Sequence, residues 1–340
     1  MLVDGGLNTG SALDADKTLR HAAELEAAGY NGIWTAETNH DPFLPLLLAS
    51  QTTEAVDLGT GIAVAFARNP MTLANIGYDL QSYSKGRFIL GLGSQIKPHI
   101  TKRFSMEWSH PAARMREMIL AIRAIWDTWN EGSKLDFRGD FYTHTLMTPF
   151  FDPGPNPFGN PRIFLAGVGE RMTEVAGEVC DGFVCHGFTT ERYLREVTMP
   201  ALERGRALAG KTMDGFEISG PGFVVTGADE EQMETSRQAV CQQIAFYGST
   251  PSYRGVLELH GWGGLQDDLN RLSKEGRWVE MGALIEPEIL DAFAVVAEPS
   301  AIAREFAARY GGTISRLSFY APYQADPGTW LPVLEELKTA

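Results

Sequence analysis

Residues 27–37 read Ala27-Ala28-Gly29-Tyr30-Asn31-Gly32-Ile33-Trp34-Thr35-Ala36-Glu37. This stretch is a helix exit, a turn, and a short apolar run that ends on a carboxylate. Upstream, Ala15, Leu19, Ala22 and Leu25 share one helical face. This predicts a helix over Asp14–Ala28, with Asp14 and Asp16 near its positive end and Gly29 as its exit. Downstream, the predicted strand Gly32–Ala36 runs into the polar series Glu37-Thr38-Asn39-His40-Asp41-Pro42 before a helical pattern over Phe43–Glu54.

The same unit recurs along the chain. Leu2–Leu7 reads as the first strand, Asp57–Phe66 as the third with a helix over Pro70–Ser84, and Arg87–Gly93 as the fourth. Pro111–Trp129 carries one apolar stripe, Met115, Met118, Ile119, Ile122, Ile125, Trp126 and Trp129, behind a proline start. Arg162–Ala166 and Gly182–His186 are strands followed by helices over Glu170–Val179 and Glu191–Ala209. Phe216–Thr226 and Thr313–Tyr320 precede helices near Asp229–Ala245 and Trp330–Leu337. About eight short, continuously apolar strands alternating with helices are the pattern of strands buried on both faces of a parallel sheet. The fold class is α/β, as a (β/α)8 TIM barrel or a long doubly wound sheet. A barrel takes roughly 250 residues, so the 340-residue chain is read as one domain over 1–340. Its insertions fall near 94–110, 131–160 and 248–298.

Composition narrows the function classes. A net charge of −14, from 29 Lys+Arg against 43 Asp+Glu, argues against a general nucleic-acid binder, whose affinity comes from a basic surface. Three cysteines, Cys180, Cys185 and Cys241, with no Cys-x-x-Cys spacing, make neither a disulfide framework nor a zinc site. No metal site is expected, since the histidines are scattered. Without a basic leader or a long apolar run, the expected location is cytoplasmic.

In a barrel the chemistry sits after the strands' C-terminal ends, and those positions are polar here. Glu37 and His40 follow strand two and suit acid–base work; either is equally readable as structural. His186 follows strand six, with Cys185 and Phe188 suggesting an apolar lining. Arg68 and Asn69 follow strand three, and Ser94 follows strand four. Gly167-Val168-Gly169 leads straight into a helix N-terminus, which is either a tight turn or a phosphate cradle. From Leu80 to Met106 there is no Asp or Glu, while Lys85, Arg87, Lys97, Lys102 and Arg103 fall there together with His99. In so acidic a chain this is an expected anion site or, in the plainer reading, a solvated or subunit-facing loop. Phe104, Trp108, Phe141, Tyr142, Phe150 and Phe151, all in insertions, are readable as a hydrophobic substrate pocket or as insertion core.

The ordered series Ala27–Glu37, His40-Asp41-Pro42-Phe43, Leu58-Gly59-Thr60-Gly61-Ile62, Arg68-Asn69-Pro70, Ser84–Gly93, Ala166–Gly169 and Asp181-Gly182-Phe183 resembles the bacterial luciferase-like monooxygenase family. Within it, the series is similar to the oxidoreductases that depend on coenzyme F420, a deazaflavin. The resemblance implies a (β/α)8 barrel with the cofactor across its mouth and a cis peptide at Gly61-Ile62 beneath the ring. It places the phosphate at Ser94 and Gly167–Gly169, and suits the loop Lys97–Arg103, including His99, to the cofactor's charged tail. The implied activity is hydride transfer between F420 and an apolar carbonyl, alcohol or alkene, by a homodimer built on the second and third helices. The alternatives are an FMN-dependent monooxygenase and a non-catalytic flavin-binding protein. The sugar-phosphate dehydrogenases of this type have an acid two positions after the strand-four Ser/Thr and a histidine directly after the strand-two acid. This chain has Ile96 and Thr38 there, with its histidine at His40, so a sugar phosphate is not the expected substrate.

Overall fold

In the computed structural model, which describes residues 1–7, 13–325 and 327–339, eight parallel strands close on themselves. They are β1 (Leu2–Gly6), β2 (Gly32–Thr35), β3 (Asp57–Thr60), β4 (Phe88–Gly93), β5 (Arg162–Gly167), β6 (Gly182–Cys185), β7 (Glu217–Gly220) and β8 (Arg316–Ser318). Each pairs with its sequence neighbour, and β8 returns to β1. Closure, not a doubly wound sheet, is the outcome. It removes both sheet edges and buries the apolar runs from both sides.

The helices form where the sequence places their caps. α1 (Ala15–Ala27) starts at Asp14, whose side chain accepts from Lys17 N. α3 (Pro70–Tyr83) has a reciprocal box between Asn69 and Thr72 with Pro70 in its first turn. α4 (Pro111–Glu131) buries the whole predicted stripe and ends at Gly132, where φ is +66°. α2 (Phe43–Thr52) and α5 (Glu170–Val179) complete the first five. The helix predicted over Glu191–Ala209 contains a π turn at Leu194–Thr198. Pro200 has no N–H to give the carbonyl of Glu196, so the helix widens before it.

The predicted strand Asp57–Phe66 is broken. Gly59 faces Ile89 before the break and Ala63 faces Leu92 after it, so Thr60, Gly61 and Ile62 oppose only Leu90 and Gly91. The extra residue makes a bulge, and the Gly61-Ile62 peptide in it is cis. Thr60 Oγ1 bridges the gap, donating to Gly91 O at 2.7 Å and accepting from Gly91 N at 2.9 Å.

The 248–298 insertion folds as four helices, Arg254–Leu259, Gly263–Lys274, Trp278–Gly282 and Pro287–Phe293. With Glu230–Gly248 they bury a second apolar cluster, which takes in Phe188 and Phe223 from the barrel loops. This cap covers one side of the mouth. The six insertion aromatics do not converge there. Trp108 packs edge-on against Phe66 at 5.7 Å, Phe141 lies against His110, and Phe150 and Phe151 are 88% and 72% exposed. Their loop, 131–160, is tied to α3 through Asn156, whose amide donates to Tyr78 O and Ser82 Oγ, and that leaves its tip in solvent.

Among the described residues, no helix is long and apolar enough to cross a membrane, and no cluster of three or more His, Cys, Asp or Glu side chains is arranged to hold a metal ion.

Candidate active site

Glu37 leaves β2 with its backbone N–H donating to Ile62 O at 3.1 Å, so it is joined to the bulge from the start. Its side chain is nearly buried. Oε2 accepts from Val64 N at 2.7 Å and from Arg68 Nη1 at 2.6 Å. Arg68 reaches Asp41 with its other nitrogen at 3.1 Å and lies over the Phe43 ring at 5.3 Å. The geometry therefore commits Glu37 and Arg68 to each other and to the chain around the cis peptide. His40, two residues before Pro42, is different. Its Nε2 is buried and has no hydrogen-bond partner. Asn69 serves as the cap of α3.

Beneath the bulge stands Trp34. A Cβ on Gly61 would lie 3.3 Å from its ring, and one on Gly59 only 2.7 Å. Glycine is needed here because the indole fills the barrel axis. Asp4 in turn holds the indole, accepting from Trp34 Nε1 at 2.9 Å.

After β4 the chain turns sharply. Gln95 has φ of +58°, Ser94 Oγ donates to Gln95 O at 3.1 Å, and Ile96 N donates to Gln95 Oε1 at 3.0 Å. A π turn over His99–Arg103 follows, pinned by the buried Ile100. Lys97, His99, Lys102 and Arg103 are exposed. Arg103 donates to Thr38 O and lies 4.9 Å from the Phe104 ring centroid. None of the three cations has a carboxylate partner among the described residues.

The acid-free run is not one patch. Lys85 and Arg87 lie at the other end of β4, which is six residues long, about 17 Å at the usual rise. Arg87 is spent on the closed end, donating to Ser84 O, Thr53 Oγ1, Thr53 O and Val56 O. Reading along the chain merges cations that a strand holds apart.

Gly169 caps α5 without any side chain bonding its first N–H groups, which leaves donors at a positive helix end. Val168 O accepts from Tyr193 Oη at 3.1 Å. Between this turn and the end of β6 is a small cleft, lined by Gly167, Val168, Cys185, His186, Thr189 and Tyr193 among others. Thr189 is buried and its Oγ1 has no partner.

His186 sits in the wall of this cleft. Its Nδ1 accepts from Phe188 N at 3.0 Å, and its Nε2 lies 3.3 Å from Tyr253 Oη. Burial alone pulls its pKa down to about 4, so the ring is neutral at pH 7. Tyr247 and Tyr253 pack on it at 4.7 and 4.6 Å, and Phe223 stacks on Tyr320 at 4.6 Å. This aromatic wall joins the ends of β6, β7 and β8 to the cap. Beside His186, local sequence points to Phe188, two residues on, and to Tyr320, which ends the predicted strand Thr313–Tyr320. Tyr247 and Tyr253 arrive from the far side of a helix and an insertion.

The mouth is thus charged around β2–β4 and neutral and aromatic around β6–β8. The sequence model of the luciferase-like monooxygenase family matches residues 2–316. An uncharacterized protein of Mycobacterium tuberculosis is 55% identical over 315 residues, 93% of this chain and 92% of its own. A 5,10-methylenetetrahydromethanopterin reductase of Archaeoglobus fulgidus is 25% identical over 281 residues, 81% of this chain and 80% of its own. The coenzyme F420-dependent tetrahydromethanopterin reductase of Methanopyrus kandleri superposes with a TM-score of 0.77 at 18% identity, over 99% of this chain and 96% of that one. Relatives in this group carry F420 or FMN. With the closed barrel and the bulged third strand already in place, the match over nearly the whole chain makes this protein a member of the luciferase-like monooxygenase family.

Proposed function

We propose that the protein is an oxidoreductase that binds coenzyme F420 across the barrel mouth and exchanges a hydride between it and an uncharged carbonyl, alcohol or alkene. The observation that carries this reading is the loop Lys97–Arg103: three cations without carboxylate partners, at the mouth of a chain whose net charge is −14. A cofactor with an acidic tail has use for such a loop, and one with a single phosphate has less. When bound, F420 supplies the two-electron chemistry, and the protein supplies binding and orientation.

The residues present fit that group. The uncapped N–H groups of α5 beyond Gly167, Val168 and Gly169 suit a phosphate, with Ser94 facing the same end of the barrel and Lys97 and His99 suiting the tail. Gly61 and Ile62 form the floor over Trp34. Of the three acid–base candidates, Glu37 holds Arg68 and Val64, and His186 holds Phe188 and Tyr253. His40, with a free Nε2, is assigned to carry the proton at the reacting centre. α2 and α3 expose Leu44 and Tyr83 and are assigned as the faces of a homodimer.

Titrating the protein separately with F420 and with FMN tests this. Micromolar or tighter F420 binding that weakens with salt is the expected outcome. FMN binding with none for F420, together with oxygen uptake on adding reduced FMN and substrate, would favour a monooxygenase instead. Cofactor binding with turnover unaffected by His40→Ala, Glu37→Ala and His186→Ala would point to a binding protein or a different centre.

A further inference from the structure

The aromatic side of the mouth supports a statement about substrate that deepens, and rests on, the F420 reading. Its six surfaces, His186, Phe188, Phe223, Tyr247, Tyr253 and Tyr320, carry no formal charge, and neither does any residue lining the adjoining cleft. A charged group packed against these rings would lose its water without gaining a counter-ion.

Hydrogen-bond accounting singles out one atom. The Phe188 N–H occupies His186 Nδ1, so the neutral ring carries its proton on Nε2 and donates it to Tyr253 Oη. Tyr247 and Tyr320 hydroxyls bond each other at 2.8 Å, with Gln243 completing that pair. The Tyr253 hydroxyl therefore accepts from His186, while its own proton has no acceptor among the described residues. Stacking on Phe188 at 6.0 Å and a tilted contact with His186 at 4.6 Å hold its ring in place. Thr189, buried with an unpartnered Oγ1 in the cleft beside His186, is a second unused hydroxyl on this side of the mouth.

We infer that Tyr253, oriented by His186, is the donor that seats the oxygen of an uncharged carbonyl or alcohol substrate on the aromatic side of the mouth. Tyr253 touches the substrate; His186 is a positioning residue.

The test uses the full chain and two probes of similar shape, acetophenone and ethylbenzene, with binding read from the NMR signals of each probe. The wild type is expected to bind acetophenone about ten-fold more tightly than ethylbenzene, a hydrogen bond's worth. Tyr253→Phe keeps the stacking and should bring acetophenone down to the ethylbenzene level while leaving ethylbenzene unchanged, which also shows that the wall is intact. His186→Phe should lose part of the discrimination, and His186→Gln, which retains an N–H donor, should restore it. Equal acetophenone affinity in wild type and Tyr253→Phe, or no acetophenone binding by the wild type, would each overturn the inference. F420 titrated without probe separates the two readings: F420 binding without Tyr253-dependent discrimination sinks this inference alone, and discrimination without F420 binding sinks the cofactor reading alone.

Discussion

The two ends of the barrel treat polar atoms in opposite ways. At the closed end, Asp4, Asp57, Arg162 and Glu217 come from β1, β3, β5 and β7, the alternate strands that fill one layer of a barrel interior, and Arg316 from β8 is threaded among them. Arg316 is fully buried, donating to both oxygens of Asp4 at 2.7 and 2.9 Å and to Asp57 and Glu217 at 2.8 Å. Arg162 takes the remaining oxygens of Asp57 and Glu217. All six carboxylate oxygens are satisfied. Burial works against the guanidinium charge, but Asp4, Glu217 and Asp57 outweigh it and raise the Arg316 pKa. At the open end, by contrast, His40 Nε2, Thr189 Oγ1 and Thr226 Oγ1 are buried without partners. One end bonds all its carboxylates within the fold, and the other leaves a few buried polar atoms unpartnered beside bonded ones such as Glu37 and Arg68.

The largest expected effect breaks the closed end. Arg316→Met strands Asp4 as a buried, unpaired charge and should cost about 3–5 kcal/mol in urea unfolding, while the fraction that stays folded keeps its F420 affinity. Lost affinity without lost stability would reverse the division of labour.

His186 comes next. Its pKa is about 4 in the folded chain and near 6.5 when unfolded, so the unfolded state takes up the proton first as pH falls. The stability of the neutral ring is fully present above pH 6.5 and drains away toward pH 4, by about 2 kcal/mol between pH 7 and 5. His186→Phe should flatten that part of the pH profile, and an unchanged slope would contradict the buried neutral ring.

Glu37→Gln removes the charge facing Arg68 but keeps an acceptor for Val64 N. A loss of about 1 kcal/mol in stability is expected for a pair that is not fully buried, with a clear loss of F420 affinity as the floor loosens. The smallest stability change belongs to Lys97→Ala with Lys102→Ala, within about 0.5 kcal/mol. F420 binding should nonetheless weaken several-fold at low salt and converge on wild type at high salt. Equal affinity at low salt would mean that the loop is merely solvated.

Much of this was legible from residue order. Strands appear as continuous apolar runs because both faces are buried, and α4 appears as a stripe because one face is. Glu37, His40, Gly167 and His186 were placed at the mouth by one inference, that each follows a strand. Two features of the barrel were misread for a common reason. The single strand over Asp57–Phe66 and the single basic run over Lys85–Arg103 are both continuous along the chain and discontinuous in space, one broken by a bulge and the other divided by β4. The insertion aromatics divide: Phe104, Trp108 and Tyr142 pack against the barrel core, the insertion-core alternative, whereas Asn156 ties the 131–160 loop to α3 and leaves Phe150 and Phe151 in water.

By itself the sequence determined the acidic balance, which is a count, and the alternation of strands and helices and their caps, because each depends on neighbours a few residues away. Only the tertiary structure decided that Arg316 meets Asp4 across 312 positions, that Tyr253 reaches His186, and that Glu37 belongs to Arg68. Those pairings exist because barrel closure and the cap bring distant backbone together, and no local propensity encodes which buried donor will find which acceptor.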